Sequence, residues 1–579
     1  MKKLLTLLMA IVLSFSCVTG LVGCNRQGGE DFDNTKSHLY VGVYNAGYGV
    51  EWLKDIKIRF EDFYKEKEFE AGKKGIQVHI SDIDAGNLFI SQIEHSPQEV
   101  IFTSNANYHQ FIREGYVRKM TDVVTKPATE FGETKSLEQR MYPSLINFLK
   151  SGDDYYGLTY TEGSTGFVMN VDLWESKSLY FEKGGCPSEY CEFTKTNNAD
   201  AVEGEWSEDK LSFTGKGEKS AGPDGKYGTY DDGQPATFDE FYMFAEHCAE
   251  SNVQTFHMSG KWPQTISKIM IPMVANIERE EQMLLNFNYN GVAKSLISVD
   301  EEGNVTELDD VTITPRNGYL LAKQKGKYQA LKFFETLLDN HNYYNYQTSM
   351  NNLAHTHTDA QDDFVSGGIM TGKKNIALLL DGEWWFNEAK PAFNVLEASK
   401  GVQHGAANRR FQMMAYPKAT IDQVGEKEII YTAEPSVCMI NNSIADIKVE
   451  WAEKFVQFAF TNESCLRFTT FTNAVQPYTC EYPEGYLDSL HYYSKSIVER
   501  HANSEKVFGS DKGDMYIYNA MDFYNSEIFW TSTMNGKNQS VPATSMGKEG
   551  VSAETYFNGM QAYRTETLWN SLYSQYFGN

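Results

Sequence analysis

The chain has 579 residues, a formal net charge of −26 and a 14% content of aromatic residues. A protein this acidic repels phosphate backbones, so we expect no nucleic-acid partner. Its length exceeds what one hydrophobic core comfortably serves, which predicts two lobes.

The N-terminus has the pattern of an export signal. Lys2 and Lys3 precede an apolar run from Leu4 to Phe15, which is too short to span a bilayer, and Leu21-Val22-Gly23-Cys24 follows. This pattern resembles the lipobox of bacterial lipoproteins, which implies a signal peptide over 1–23 and a diacylglyceryl group on the thiol of Cys24. The alternatives are an uncleaved membrane anchor and an ordinary secreted protein.

Residues 24–37 are polar and aperiodic, so we expect them to form a flexible tether before a folded body over 38–579. Such a protein lies on the extracytoplasmic face of the cell membrane. It therefore works without ATP or NAD(P)H.

The first folded elements predict an α/β sheet. A buried strand is predicted from Leu39 to Tyr44, a glycine turn to Gly49, a helix from Glu51 to about Gly72 or Gly75, and an alternating strand from Ile76 to Ile80. Ligands of such sheets bind beyond the C-terminal ends of strands. The candidate binding residues here are those after this first strand and those after the strand Glu99–Phe102: Tyr44, Asn45, Ser104 and Asn105.

Further segments carry a family resemblance in order along the chain. They are Asn45–Leu53, Tyr156–Leu158 before Phe167–Leu173, Ala377–Trp385, and Trp451–Phe458 before Ala474–Pro477. With them the chain resembles the family 1 extracellular solute-binding proteins, the lipid-anchored receptors of carbohydrate ABC importers.

The resemblance implies a type II periplasmic-binding-protein-like fold, in which two α/β lobes are joined by a hinge that the chain crosses several times. The N-terminal lobe is expected over about 38–160 plus a later return segment, and about 177–233 looks like an insertion. The implied function is a monomeric, non-catalytic receptor that binds an oligosaccharide or glycoside and delivers it to the permease subunits of an ABC transporter. The alternatives are an exported carbohydrate-active enzyme and a sensory sugar-binding lipoprotein.

Two segments supply further candidate ligand contacts. Glu162, Ser164 and Thr165 lie where the chain is expected to cross into the second lobe. Asp381, Glu383, Trp384 and Trp385 follow a strand predicted over Ile376–Leu380, and their carboxylates and indoles suit sugar hydroxyls and ring faces. Trp262, in a turn, is a further stacking candidate.

We expect no cofactor, although three patterns leave alternatives open. Asp224, Asp231 and Asp232 form either a weak Ca²⁺ site or a plain turn cluster, since their spacing departs from an EF-hand. Cys186 and Cys191 form either a small-loop disulfide or two reduced thiols. His355 and His357 invite a metal interpretation, but no matching set of ligands is evident elsewhere in the sequence.

The lipobox generates the first prediction. Only the thiol of Cys24 can accept the diacylglyceryl group, so Cys24→Ser should release the protein from the membrane or block its processing. Membrane fractionation and N-terminal mass spectrometry measure this. A variant that stays in the membrane fraction at the wild-type level and is cut at the same place contradicts the lipobox.

Overall fold

The structure is a computed structural model that describes residues 32–45, 47–83, 93–104, 108–183, 212–432, 436–508 and 529–577. The signal peptide, Cys24, most of the tether, Asn105, Cys186 and Cys191 lie outside the described residues. Within these ranges, no helix combines the length and the apolar character that crossing a bilayer requires.

Eleven of the described strands build the two main sheets and a ladder between them. They are β1 (Ser37–Val43), β2 (Ile76–Asp82), β3 (Val100–Thr103), β4 (Gly157–Thr161), β5 (Thr165–Asn170), β6 (Val253–His257), β7 (Asn375–Gly382), β8 (Phe411–Met413), β9 (Ile429–Thr432), β10 (Ser436–Ile440) and β11 (Glu505–Phe508).

The N-lobe sheet has the order β2-β1-β3-β10-β4. Strand β1 is parallel to β2 and β3, whereas β10 is antiparallel to both β3 and β4. Helices cover this sheet, and Leu39, Val41 and Val43 of β1 are all buried, as expected for a strand with both faces covered. The helices that follow or cover this sheet are Glu51–Phe63, Tyr108–Arg113, Thr121–Thr125, Pro143–Leu149, Asp446–Ala459 and Asn462–Thr472.

The C-lobe sheet has the order β6-β7-β5-β8. Strands β6 and β7 are parallel, and β5 runs antiparallel to its neighbours β7 and β8. Phe167 and Met169 of β5 enter a large core on one face, whereas Val168 enters a smaller core on the other face. The helices of this lobe are Val171–Lys177, Phe238–Glu250, Thr265–Asn288, Lys325–Asp339, His357–Ser366, Trp385–Glu388, Lys390–Lys400, Tyr486–Ser489, Tyr492–Asn503, Pro542–Glu549, Ala553–Tyr563 and Glu566–Phe577.

Five further two-stranded ladders lie outside the two main sheets in the described part of the chain. Their strands are Lys150–Ser151 with Asp154–Tyr155, Tyr180–Phe181 with Phe213–Thr214, Gly291–Ala293 with Val311–Ile313, Ile297–Val299 with Val305–Glu307, and Ser532–Met534 with Lys537–Gln539.

The first helix ends earlier than its sequence suggests. Trp52, Ile56 and Phe60 are buried at the predicted spacing, but the helix stops at Phe63, well before Gly72. Gly75 instead adopts a left-handed φ of 84° and leads directly into β2, a conformation that glycine accepts without strain. The prediction of a helix extending to Gly72 or Gly75 is therefore wrong.

The three aspartates of the insertion bind backbone and hydroxyl donors of their own turn. Asp231 is fully buried, and its two carboxylate oxygens accept hydrogen bonds from the Asp224 N–H (2.9 Å) and the Thr229 hydroxyl (2.7 Å). Asp232 accepts the Gly228 N–H at 2.8 Å. Burial, and then the nearby Asp224 carboxylate, raise the pKa of Asp231 to about 7. These contacts are turn chemistry of the kind that Asp and Thr provide.

Candidate functional site between the lobes

The candidate site lies where the chain passes between the two sheets. Strand β4 ends the N-lobe sheet at Thr161 and β5 begins in the C-lobe sheet at Thr165. The chain returns from β9 to β10, and β9 pairs in parallel with β11. Val507 of β11 is buried in the C-lobe core and Phe508 in the N-lobe core, so this ladder lies at the junction.

Six charged or ionisable side chains and one serine meet at this junction, and we call them the hinge cluster: Glu162, Ser164, Glu383, Glu428, Arg500, His501 and Lys506. They come from different elements. The first two lie on the β4–β5 crossing, Glu383 follows β7, Glu428 precedes β9, Arg500 and His501 end the helix Tyr492–Asn503, and Lys506 lies in β11.

Arg500 connects two of the three carboxylates. Its guanidinium donates to Glu428 at 2.6 and 3.0 Å and to Glu383 at 3.0 Å, and it also donates to the Ser164 hydroxyl at 2.9 Å. The arginine, the serine and Glu383 are each only 1% exposed. A charge buried this deeply is costly unless it is paired and hydrogen-bonded, so each member depends on the others.

His501 connects the third carboxylate, that of Glu162, to Glu383. Its Nε2 lies 2.8 Å from Glu383, and its Nδ1 lies 2.8 Å from Glu162. Glu162 also accepts a hydrogen bond from the Tyr142 hydroxyl of the N lobe at 2.6 Å, and Lys506 lies 3.6 Å from it. The hinge cluster therefore fastens the crossing segment to both lobes.

The charges of the cluster keep its acids ionised. Burial opposes ionisation of Glu162, but Lys506 and His501 outweigh it and lower the pKa of this carboxyl to about 2. Burial likewise opposes ionisation of Glu383, and His501 and Arg500 outweigh it, so that pKa is also lowered. Burial also opposes ionisation of Glu428, but Arg500 outweighs it and lowers the pKa of this carboxyl.

Trp384 contacts the N lobe across the junction. It follows β7, lies half-buried, and meets Tyr48 edge-on with ring centroids 6.3 Å apart. A Cβ atom on Gly47 would lie 2.8 Å from Trp384, so only glycine leaves room for the indole there. The side-chain amide of Asn387 donates to the Gly47 carbonyl at 2.7 Å. The two lobes are therefore in direct contact beside Trp384.

Trp385 has a different environment from its neighbour. It is fully buried in the smaller C-lobe core, where it packs against Phe364, Phe411 and Tyr493 with ring centroids 5.1 to 5.9 Å apart. Adjacent helical positions differ by about 100° in direction, which separates the two indoles.

Asp381 and Glu388 accept hydrogen bonds from the same side-chain amide. The Gln361 amide donates to Asp381 at 3.0 Å and to Glu388 at 2.8 Å. Burial, and then the charge of Glu388, raise the pKa of Asp381 to about 7. At neutral pH this carboxyl therefore exists in both protonation states and can donate or accept a hydrogen bond.

The predicted site residues divide into two groups. The members of the first group are buried among protein partners at the hinge or in the C-lobe core, and they are Glu162, Ser164, Glu383 and Trp385. The others lie at or near the lobe junction or in exposed loops: Tyr44, Asn45, Ser104, Thr165, Trp262, Asp381 and Trp384. Of these, Trp262 is 41% exposed, and the Thr165 hydroxyl donates to the Lys268 carbonyl at 3.0 Å.

Sequence reasoning missed Arg500, His501 and Lys506. No local motif marks them, because their acidic partners lie up to 344 positions away in the chain. The one available signal was an Arg-His pair on the helix face that also carries the buried, apolar Tyr493 and Ile497.

Solved structures share this architecture. A chitin oligosaccharide binding protein is 12% identical, with 92% of this chain and 98% of that chain covered and a TM-score of 0.52. The solute-binding protein RafE in complex with raffinose is 10% identical, with 93% and 100% covered and a TM-score of 0.51. The GacH receptor of Streptomyces glaucescens is 12% identical, with 92% and 98% covered and a TM-score of 0.51.

These likenesses confirm the predicted two-lobed α/β fold of solute-binding proteins. Comparison with protein-family models and with curated protein sequences gives no match.

The hinge cluster generates a stability prediction. Arg500→Met leaves Glu383 and Glu428 buried without their cation, so the free energy of unfolding should fall by about 3–5 kcal/mol. Arg467→Met is the matched control, because Arg467 pairs with Asp55 through a side chain that is 44% exposed, and it should cost at most about 1 kcal/mol. Urea unfolding measures both, and equal losses would contradict the role of the cluster.

The lowered pKa of Glu162 generates a pH prediction. The unfolded carboxyl titrates near its ordinary value of 4.5 and the folded one near 2, so its contribution to stability is complete above pH 4.5 and is lost as pH falls toward 2. Glu162→Gln should therefore lower stability at pH 6 and make the acid limb of the stability curve shallower.

Urea unfolding between pH 6 and pH 3 measures this slope. The exposed Glu463 supplies the control, and Glu463→Gln should leave both the stability and the slope close to wild type. If Glu162→Gln keeps the full wild-type slope, another group carries the acid sensitivity.

Proposed function

We propose that the chain is an extracytoplasmic receptor, lipid-anchored through Cys24, that binds an oligosaccharide or glycoside between its lobes and delivers it to an ABC transporter permease. Trp384 carries the proposal. It presents a half-buried indole at the end of a C-lobe strand, directly opposite the Gly47–Tyr48 turn of the N lobe. An indole offers a flat apolar face together with a hydrogen-bonding edge, which suits a sugar ring.

Neighbouring groups supply polar recognition. Asp381 can donate or accept because of its raised pKa, and it lies three positions before Trp384. Asn45 is exposed at the end of the first N-lobe strand. Sugar hydroxyls both donate and accept, so a carboxyl that can do either and a side-chain amide both suit them. The sugars named for the chitin oligosaccharide binding protein, RafE and GacH support the same ligand class.

Lobe closure supplies the mechanism. The hinge cluster anchors the crossing segments, so the lobes move as two bodies about them, and ligand contacts from both lobes exist together only when the lobes meet. A ligand that binds this arrangement better than the open one shifts the population toward it. The closed receptor is then the form that a permease can distinguish from the empty one.

A thermal-shift screen of the full chain against mono- and oligosaccharides tests the ligand class. A sugar at 100 times its dissociation constant should add about 2.7 kcal/mol to the free energy of unfolding. Stabilisation by a sugar without any change in that sugar supports a receptor. Hydrolysis of the sugar during the incubation would instead support a carbohydrate-active enzyme, and the absence of any stabilising sugar would contradict the ligand class.

The adjacent tryptophans generate a paired prediction. Trp385→Ala empties a fully buried site and should cost about 3–5 kcal/mol of stability. Trp384→Ala should cost less and should abolish binding of the sugar found in the screen. Calorimetric titration and melting curves separate the two effects.

Trp262→Ala is the control for this pair, because this indole is 41% exposed and should contribute little to stability. If Trp384→Ala binds sugar like the wild type while Trp262→Ala does not, the stacking platform lies at Trp262.

A further inference from the structure

Two histidines and an aspartate meet on the C lobe, away from the hinge cluster. His257 is the last residue of β6, His355 lies in the loop before the helix His357–Ser366, and Asp363 lies on that helix. One nitrogen from each histidine and one carboxylate oxygen all lie within 4.8 Å of one another. His355 and Asp363, which lie close together in the chain, therefore meet a histidine about 100 positions before them.

The spacing of these atoms matches a metal coordination sphere. Nε2 of His257 lies 3.2 Å from Oδ2 of Asp363, and Nε2 of His355 lies 3.1 Å from the same oxygen. In a tetrahedral zinc site with bonds of about 2.0–2.2 Å, neighbouring ligand atoms are roughly 3.3 Å apart. Two of the three separations are thus close to those of a tetrahedral site, and the third, between the two histidine nitrogens, is no more than 4.8 Å, so an ion can enter after the imidazoles shift.

The three side chains lie in a mostly buried environment. His257 and His355 are 2% and 8% exposed, and burial lowers the pKa of His257, which favours the neutral imidazole that a metal needs. Asp363 stays ionised because the contacts with His257 and Lys373 outweigh burial and lower its pKa. The donor set is therefore two imidazole nitrogens and one carboxylate.

Surrounding groups hold these ligands in place. The Lys373 ammonium binds Oδ1 of Asp363, which leaves Oδ2 as the oxygen that faces the imidazoles. The Gln254 amide nitrogen donates to Nδ1 of His257 at 2.9 Å, and the Ser349 hydroxyl lies 3.3 Å from the same ring nitrogen. Binding of an ion to Nε2 places the imidazole proton on Nδ1, so the Gln254 amide has to turn away and the Ser349 hydroxyl accepts that proton. Partners of this kind fix the orientation and tautomer of metal ligands. Nδ1 of the buried His355 has no hydrogen-bonding partner among the described residues.

We propose that His257, His355 and Asp363 form a site for a first-row transition metal ion, with Zn²⁺ as the expected occupant. Two imidazoles and one carboxylate favour Zn²⁺ over Ca²⁺ and Mg²⁺, which prefer oxygen ligands. The ion would tie the end of β6 to the 355 loop and to the helix that also carries Gln361. The proposal goes beyond the proposed function and stands or fails independently of sugar binding.

The site differs from the one that the sequence suggests. The spacing of His355 and His357 favours a pair, but His357 is exposed whereas His355 turns inward toward His257. The helix cap explains the separation, since Thr356 caps this helix through the N–H of Asp359 and so ends the loop between the two histidines.

Cobalt(II) is a suitable probe because its visible absorption reports tetrahedral coordination by nitrogen and oxygen. The full chain, freed of metal with a chelator and then dialysed, should bind one equivalent of Co²⁺ with visible bands that Zn²⁺ displaces. Zn²⁺ should also raise the melting temperature. His355→Ala and Asp363→Asn should each weaken Zn²⁺ binding by at least about 100-fold in competition with a chromophoric chelator.

His357→Ala is the matched control, because it removes an exposed histidine two positions away and should bind Zn²⁺ like the wild type. Circular dichroism and melting curves without metal establish that each variant is folded. Asp363→Asn is close in shape to the native residue, so it keeps the test valid if His355→Ala unfolds. Wild-type protein without a stoichiometric Co²⁺ spectrum would overturn the proposal, and so would unchanged Zn²⁺ affinity in folded Asp363→Asn.

Discussion

The guanidinium of Arg500 is the group on which the junction between the lobes depends. It is 1% exposed and holds Glu383, Glu428 and Ser164 at the same time, while the adjacent His501 reaches Glu162. Removing two ions from water costs more than many pairs return, and a close-packed apolar hinge would often be as stable. Ionic contacts at the hinge add geometric specificity, because the hydrogen bonds of a planar guanidinium fix which segments meet and at which angle.

The lobes and the junction between them are held by different kinds of side chain. Each lobe is held by a large apolar core that includes both faces of its sheet, so each behaves as a stiff body. The first crossing between the lobes is instead short and polar, with Gly163 between Glu162 and Ser164. For the proposed lobe closure, this crossing is a place where few apolar contacts would have to break.

The sequence predicts the frame of this fold well and its junction poorly. Periodicity and turn residues located β1, the helix from Glu51, and the strand before Trp384, because local spacing alone determines them. The separation of Trp384 from Trp385 also follows from helix geometry. The hinge cluster and the His257–His355–Asp363 group do not, since each joins residues about 100 or more positions apart that only the topology brings together. Patterns in a single sequence can mark individual members, such as Glu162 and His355, but they do not show which distant residues meet.

The contacts at Trp384 also affect how much differential binding free energy a ligand must supply to close the lobes. The Asn387–Gly47 hydrogen bond and the packing of the indole against the 47–48 turn join the two lobes directly. Two such contacts contribute on the order of 1–2 kcal/mol, whereas shifting an equilibrium from 1:99 to 99:1 requires about 5.5 kcal/mol of differential binding. In the proposed receptor, these protein–protein contacts contribute to closure, and a ligand supplies the remainder. Glycine at position 47 is the residue that allows this approach.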